Sequence, residues 1–103
     1  MKYLKTFESL DGPQVGDYVA CEEDSLTSDF TSINVGKIVN IEDDRDNKYC
    51  HVVAYDDIPK DIEDLFDSQF GYLCRDMSRY EIEFWSKNRL EVEAYIAAKK
   101  YNL

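Results

Sequence analysis

The sequence predicts an α+β protein in which a small, strongly curved antiparallel sheet of about five strands is followed by a C-terminal helix. Three apolar runs of strand length, at 15–21, 33–42 and 49–55, are separated by polar segments, which is typical of consecutive antiparallel strands. An apolar stripe with helical spacing then covers 88–101. A chain of 103 residues is enough for one core, so we expect a single domain whose β-rich part spans 15–85.

The polar segments between these runs have the composition of loops. The segment 22–32 predicts a long loop with one helical turn around 26–30, and 43–48 predicts a charged hairpin loop. In the second run, alternation places Lys37, Val39 and Ile41 on one face, while the other face also carries apolar residues, as in a sheet covered on both sides. In the third run, alternation places on one side Tyr49, His51, Val53 and Tyr55.

The chain after residue 55 predicts a short helix and two further strands. Pro59 is favoured in a first helical turn, and the apolar residues after it keep helical spacing, so we expect a helix at 59–67. The run 72–75 predicts a short edge strand, and 79–85 alternates as a half-buried strand would. The apolar face of that last strand is predicted to comprise Tyr80, Ile82 and Phe84.

The predicted C-terminal helix has signals at both ends. Asn88 and Glu91 have the spacing of a capping box, in which two side chains accept hydrogen bonds from backbone N–H groups of the first turn. Lys99 and Lys100 lie in the last turn, where positive charge complements the helix dipole. We therefore expect the helix to span 88–101 and to pack across the sheet.

The charge of the chain is strongly negative and unevenly placed. There are 22 acidic and 12 basic residues, and the segment 8–67 alone holds 17 acids and 4 bases. Such a field repels nucleic acid and anionic membranes and attracts basic surfaces. We therefore expect no direct nucleic-acid partner and no membrane partner. The chain has no apolar run long enough to span a bilayer and no secretory signal, so we expect a cytoplasmic protein, in the host cytoplasm if it is viral.

Three cysteines are scattered without Cys-x-x-Cys spacing. Cys21, Cys50 and Cys74 each lie in an apolar run, where a reduced cysteine acts as a small apolar residue. A zinc site that combines them with His51 is the alternative, but adjacent strand residues such as Cys50 and His51 point to opposite faces. We expect buried thiols, no metal site and no cofactor.

The sequence carries no catalytic signature. His51 is the one histidine, and no partner motif accompanies it that would make it a general base. Phosphate-binding glycine loops and nucleophile elbows are missing from the sequence. The acidic loop at 43–48 lacks the ligand spacing of a calcium-binding EF-hand. We therefore expect no enzyme and no catalytic residue.

Two resemblances add to this interpretation. The strand cadence of Val15–Val19, Gly36–Ile41 and Tyr49 to Tyr55 resembles SH3-like small barrels such as Tudor and KOW modules. That resemblance implies that the sheet closes into a barrel. It also implies an aromatic cage for a methylated or basic peptide, formed by Tyr18, Tyr49 and Tyr55 together with Phe30 from the long loop. The segment 85–103 resembles the tails of small uncharacterised phage and viral proteins.

The acidic residues themselves provide the main functional hypothesis. Carboxylates on a rigid small sheet can imitate a phosphate backbone and occupy the basic groove of a nucleic-acid-binding host protein, such as a defence nuclease. Small acidic phage inhibitors, anti-CRISPR proteins among them, resemble this chain in size and charge. The predicted partner-binding residues are Glu22, Glu23, Asp24, Asp29, Glu42, Asp43, Asp44, Asp46, Asp56 and Asp57.

Three alternatives stay open on the sequence alone. The first is a Tudor-like reader of a basic or methylated peptide. The second is a structural component of a virion or of another complex. In the third, the acidic surface only keeps the protein soluble and monomeric.

Overall fold

A computed structural model describes residues 12–43 and 49–101, apart from the side chains of Asp43 and Tyr49. They form an α+β fold with one antiparallel sheet in the order β4-β5-β3-β2-β1-β6. The strands are β1 (Tyr18–Cys21), β2 (Gly36–Asp43), β3 (Tyr49–Tyr55), β4 (Asp67–Gln69), β5 (Tyr72–Ser78) and β6 (Ile82–Ser86). The α-helices are α1 (Ser28–Thr31) and α2 (Arg89–Tyr101), and single 3-10 turns lie at Glu63–Leu65 and Arg79–Glu81.

The described sheet is open. β4 and β6 are its two edges, and no pairing joins them among the described residues. The described residues therefore form six strands rather than the expected five or so, and the closed SH3-like barrel is not confirmed. The last strand, β6, returns to pair with the first, β1, which places the two ends of the described fold side by side.

Local sequence pattern predicted some elements well. The third strand is found at its predicted bounds, α2 begins one residue later than predicted, and α1 supplies the helical turn expected around 26–30. The first strand is shorter than expected because Val15 and Gly16 form a turn in which Gly16 has φ 96°. Positive φ is readily adopted by glycine.

Three predictions for the chain between β3 and β6 are wrong. The helix expected at 59–67 is only the 3-10 turn Glu63–Leu65, because Asp67 instead enters β4 and pairs with Cys74. The edge strand expected at 72–75 is the longer β5, which is interior because it pairs with both β3 and β4. The segment 79–81 forms a 3-10 turn rather than the start of a strand.

Two β-bulges change which side chains share a face. In β2 the register shifts between Ile38 and Asn40, so that Ile38 and Ile41 both pack on the main core while Val39 packs on the other side. In β6 the shift puts Ile82 opposite Cys21 but Phe84 opposite Ala20. An extra residue in one strand of an antiparallel pair has this effect. The predicted shared faces in β2 and β6 are therefore wrong.

The main core lies on one side of the sheet, which we call the front face. Its buried residues are Val19, Cys21, Ile38, Val53, Tyr55, Phe66, Met77 and Ile82. On the opposite, back face, α2 packs over β1 and β6, where the rings of Phe84 and Tyr95 stack 4.7 Å apart. Val92 of this helix is fully buried, and burial of such a side chain contributes about 1.5–3 kcal/mol.

The back face over the centre of the sheet holds a smaller cluster of Val52, Ala54 and Cys74. No described helix has both the length and the hydropathy that crossing a bilayer requires.

Candidate functional site

Two segments of the chain cover the front face of the sheet, and together we call them the acidic cap. They are residues 22–32, which include α1, and residues 56–67, which follow β3. Phe30 of the first segment and Phe66 of the second meet edge to face, with ring centroids 5.9 Å apart, and both rings also meet Tyr55 of β3. Edge-to-face packing of this kind fixes the two segments against each other and against the sheet.

A buried carboxylate holds the cap together from inside. Glu23 accepts hydrogen bonds from the hydroxyls of Thr27 and Thr31 and from Arg75 Nη2, the last at 3.1 Å. The other guanidinium nitrogen, Arg75 Nη1, donates to the carbonyl oxygen of Leu65 at 3.1 Å. Arg75 on β5 therefore ties both cap segments to the sheet.

Glu23 is consequently not a contact residue. Its side chain is 1% exposed. Burial acts to raise the pKa of this carboxyl, but the hydrogen bonds from Thr27, Thr31 and Arg75 outweigh burial and lower the pKa overall. Glu23 remains ionised as an internal partner of Arg75, and the prediction that it meets a binding partner is wrong.

Besides Glu22, the outer surface of the cap carries eight exposed carboxylates and one lysine, Lys60. No ion pair joins any of the eight to a cation among the described residues. They are Asp24, Asp29, Asp56, Asp57, Asp61, Glu63, Asp64 and Asp67. Their combined field is therefore directed to solvent.

Glu22 lies at the boundary of the cap and has a partner. Lys99 Nζ of α2 is 2.6 Å from Glu22 Oε1 and 2.6 Å from Glu83 Oε1. The hydrogen bond from Lys99 lowers the pKa of Glu22, and the two carboxylates raise the pKa of Lys99. Glu22 thus connects the cap to the C-terminal helix, so its charge is less free to bind than that of its neighbours.

The second predicted acidic loop lies away from the cap. Glu42 is exposed on β2, and Asp43 ends that strand, while Asp44 and Asp46 lie outside the described residues. Asp43 pairs with Tyr49 at one end of β3, and the cap segment 56–67 begins at the other end, about 20 Å away at strand rise. The structure therefore joins 22–32 with 56–67, and the described start of the other acidic loop, Glu42 and Asp43, is not part of this cap.

The predicted aromatic cage is not assembled. Tyr55 is a core residue with 4% exposure. Tyr18 lies on the back face, because it pairs with Lys37 and Lys37 pairs with Ala54, the residue before Tyr55. The Lys37 ammonium sits 5.5 Å from the centre of the Tyr18 ring. Tyr49 begins β3, and its side chain lies outside the described part of the chain. Tyr18 and Tyr55 therefore cannot enclose one ligand.

The His51 imidazole and the Cys21 thiol, which are possible catalytic groups, are both buried. Burial lowers the pKa of His51 and raises that of the Cys21 thiol to about 12, so neither is a ready proton donor or nucleophile at neutral pH. No group of three or more His, Cys, Asp or Glu side chains in the described ranges is placed to hold a metal ion. No protein-family model, curated protein or solved structure was found that matches this chain. The function is therefore inferred from the chain's own geometry.

Two open grooves flank the C-terminal helix. One, of about 350 Å³, runs between α1 and α2 with Ile33 and Ile96 in its walls. The other, of about 250 Å³, lies on the back face between Tyr18, Tyr72 and Arg89. Neither groove is lined by a histidine or a cysteine.

The sequence-based reasoning missed one exposed feature. The β4–β5 hairpin presents Phe70 and Tyr72 at its tip with 59% and 51% exposure. The signal was present in the sequence as the Phe70-Gly71 pair, since a glycine between two short strands indicates a tight hairpin turn.

Proposed function

We propose that this protein is a non-enzymatic binding module whose acidic cap occupies a basic, nucleic-acid-binding surface of another protein. A phage-type inhibitor of a host defence nuclease, acting as a nucleic-acid mimic in the manner of some anti-CRISPR proteins, is the most concrete form of this proposal. The proposed location is the cytoplasm, or the host cytoplasm if the protein is viral. The observation that carries the proposal is the set of eight exposed carboxylates on the cap that have no ion pair with a described cation.

The rigidity of the cap supports mimicry over a purely solubilising role. The aromatic contacts of Phe30 and Phe66 and the Glu23–Arg75 ion pair fix the backbone that bears these carboxylates. A flexible acidic tail loses conformational entropy when it becomes ordered on binding. Carboxylates on a fixed backbone do not incur this cost. Complementary charge also speeds encounter with a basic partner and selects against acidic ones.

The Tudor-like alternative receives no support from the geometry. A reader cage needs aromatic rings around one cation. Tyr55 instead packs in the core and Tyr18 lies on the opposite face, beside Lys37.

Affinity capture with matched variants tests the proposal. The protein is immobilised, exposed to a bacterial lysate at about 0.05 M salt and eluted at about 0.5 M salt, where exposed charges are strongly screened. We expect capture of a nucleic-acid-binding protein that duplex DNA displaces. The triple variant Asp61→Asn, Glu63→Gln, Asp64→Asn should reduce its retention by about tenfold, since three exposed charges contribute on the order of 1–3 kcal/mol together.

The control neutralises three exposed acids outside the cap: Glu42→Gln, Asp76→Asn and Glu93→Gln. It changes the net charge equally, breaks one exposed ion pair, that of Glu93 with Arg89, which contributes about 0.3–0.5 kcal/mol, and should retain the captured protein. If both variants lose retention of the captured protein equally, binding depends on the net charge of the protein and not on the acidic cap. Unchanged retention by the cap variant, or a partner that DNA does not displace, would refute the proposal.

A further inference from the structure

The tip of the β4–β5 hairpin combines exposure with backbone strain. Gln69 pairs with Tyr72, and the two residues between them both have positive φ, 54° at Phe70 and 80° at Gly71. This is the geometry of a two-residue turn that favours Asn-Gly. A bulky aromatic residue at the first position is an unfavourable choice for folding, because the left-handed region crowds its Cβ.

The Phe70 ring contributes little to the stability of the fold, because most of it is exposed. It is 59% exposed, and Tyr72, across the turn, is 51% exposed. Phe70 is also missing from the aromatic contacts found among the described residues. A strained, exposed aromatic residue is better explained by contact with another molecule than by stability.

Two carboxylates of the acidic cap flank Tyr72. Tyr55 pairs with Leu73, which brings the following residue, Asp56, beside Tyr72, and both line the same back-face groove. Asp67, the last residue of the cap, lies on β4 of the same hairpin and pairs with Cys74, which places it on the same face as Tyr72. Two cations line the other side of this groove: Lys37, which lies over the Tyr18 ring, and Arg89, which pairs with Glu93.

We propose that Phe70 and Tyr72 form the apolar anchor of the interface whose rim is the acidic cap. This inference rests on the proposed function and specifies the partner surface: an apolar pocket bordered by lysine and arginine side chains. Buried aromatic anchors inside a polar rim carry most of the binding energy in many protein interfaces. Arginine at the pocket border would also meet the exposed ring faces.

The variant Phe70→Asn tests the anchor without endangering the fold. Asparagine is favoured at this turn position, so the variant should be more stable than the wild type. Its unfolding temperature should rise by about 4–8 °C, the shift a small domain shows for a modest gain in stability. Capture of the nucleic-acid-binding protein should nevertheless fall at least tenfold. Tyr72→Ser, which leaves the turn intact, should weaken capture in the same direction.

The matched control is Tyr80→Asn, which removes an aromatic ring that is 94% exposed at the other end of β5. It should leave capture unchanged. If Phe70→Asn and Tyr72→Ser are folded and retain the partner as well as the wild type does, the anchor is refuted. In that event, if the Asp61→Asn, Glu63→Gln, Asp64→Asn variant loses the partner, the proposed function still holds. If that variant also retains the partner, both the anchor and the proposed function are refuted.

Discussion

Glu23 belongs to the acidic segment 22–32, but its carboxylate is buried and bonded to neighbouring residues. Two hydroxyls and a guanidinium satisfy its oxygens, so that the charge stabilises the cap instead of a partner. Leaving a buried charge without such partners would cost several kcal/mol, which explains why Thr27, Thr31 and Arg75 accompany it. The neighbouring Asp24 is exposed and has no ion pair with a described cation. Adjacent residues of the same chemical type therefore have opposite roles.

His51 provides a pH test at the same scale. Its side chain lies in β3, and the whole residue is 4% exposed. Burial, assisted by the positive charge of Arg79, lowers the pKa of the imidazole from 6.5, and a hydrogen bond with the Met77 backbone offsets this only in part. The unfolded chain therefore takes up a proton at higher pH than the folded protein does. The contribution of neutral His51 to the free energy of unfolding is therefore fully present above about pH 6.5. It is lost as the pH falls from there toward the lower pKa of the folded protein.

We expect the free energy of unfolding, measured by urea denaturation, to decrease from pH 7.5 to pH 5.5 by at most about 1.4 kcal/mol per pH unit for this one proton. His51→Gln removes the titrating group and should flatten the pH dependence in this range, whatever its effect on absolute stability. The same slope in both proteins would show that the histidine does not cause the acid sensitivity.

At the scale of elements, the sequence predicted what is local and missed what depends on pairing. The β3 run and the α2 stripe have full apolar periodicity, and both elements appear within a residue of their predicted bounds. β4 reads Asp-Ser-Gln, which carries no apolar signal, and it exists because the turn at Phe70 returns the chain to β5. The bulge at Ile38–Asn40 requires knowledge of the partner strand.

The candidate site follows the same division. The density of acids in 22–32 and 56–67 is visible in the sequence, but which of them are free is not. Glu22 is paired with Lys99, 77 residues away, and Glu23 with Arg75, 52 residues away. The separation of Tyr18 from Tyr55 follows from the strand register, which the spacing of tyrosines along the chain does not show.

Gly36 at the start of β2 tests the packing that excludes Tyr55 from a cage. A Cβ at this position would overlap Val53 Cγ1 and lie 2.8 Å from Cζ of the Tyr55 ring. Gly36→Ala should therefore reduce the free energy of unfolding by about 1–3 kcal/mol, the usual effect of overpacking a core. Gly16→Ala is the comparison, because Gly16 has φ 96° but open space around it, so only backbone strain of about 1 kcal/mol applies. A smaller loss for Gly36→Ala than for Gly16→Ala would show that Tyr55 does not press on β2.

Across the whole molecule, the front and back of the sheet differ in charge as well as in covering layer. The front carries the acidic cap, held by Phe30, Phe66 and Arg75. The back carries α2, whose Lys99 reaches round to Glu22 and Glu83 and so joins the helix to the cap and to β6. Concentrating eight exposed carboxylates in two neighbouring segments has a cost in stability, because like charges repel each other in the folded state.

That repulsion leads to a prediction about salt. At an ionic strength of about 0.01 M, where screening extends over about 30 Å, Asp61→Asn, Glu63→Gln, Asp64→Asn should unfold about 2–6 °C above the wild type. At about 1 M salt the screening length is about 3 Å, and the difference between the two proteins should largely vanish. The Glu42→Gln, Asp76→Asn, Glu93→Gln control spreads its neutralised residues over β2, β5 and α2, so it should gain little at either salt concentration.

The measurement is the unfolding temperature of the three proteins by circular dichroism over a salt series. Gain of stability on losing charge, combined with loss of binding, is the behaviour expected where residues are kept for function at the expense of stability. If the cap variant is no more stable than the control at low salt, the cap carboxylates lie too far apart to act as one field. In that case a continuous imitation of a phosphate backbone would no longer be a tenable account of the surface.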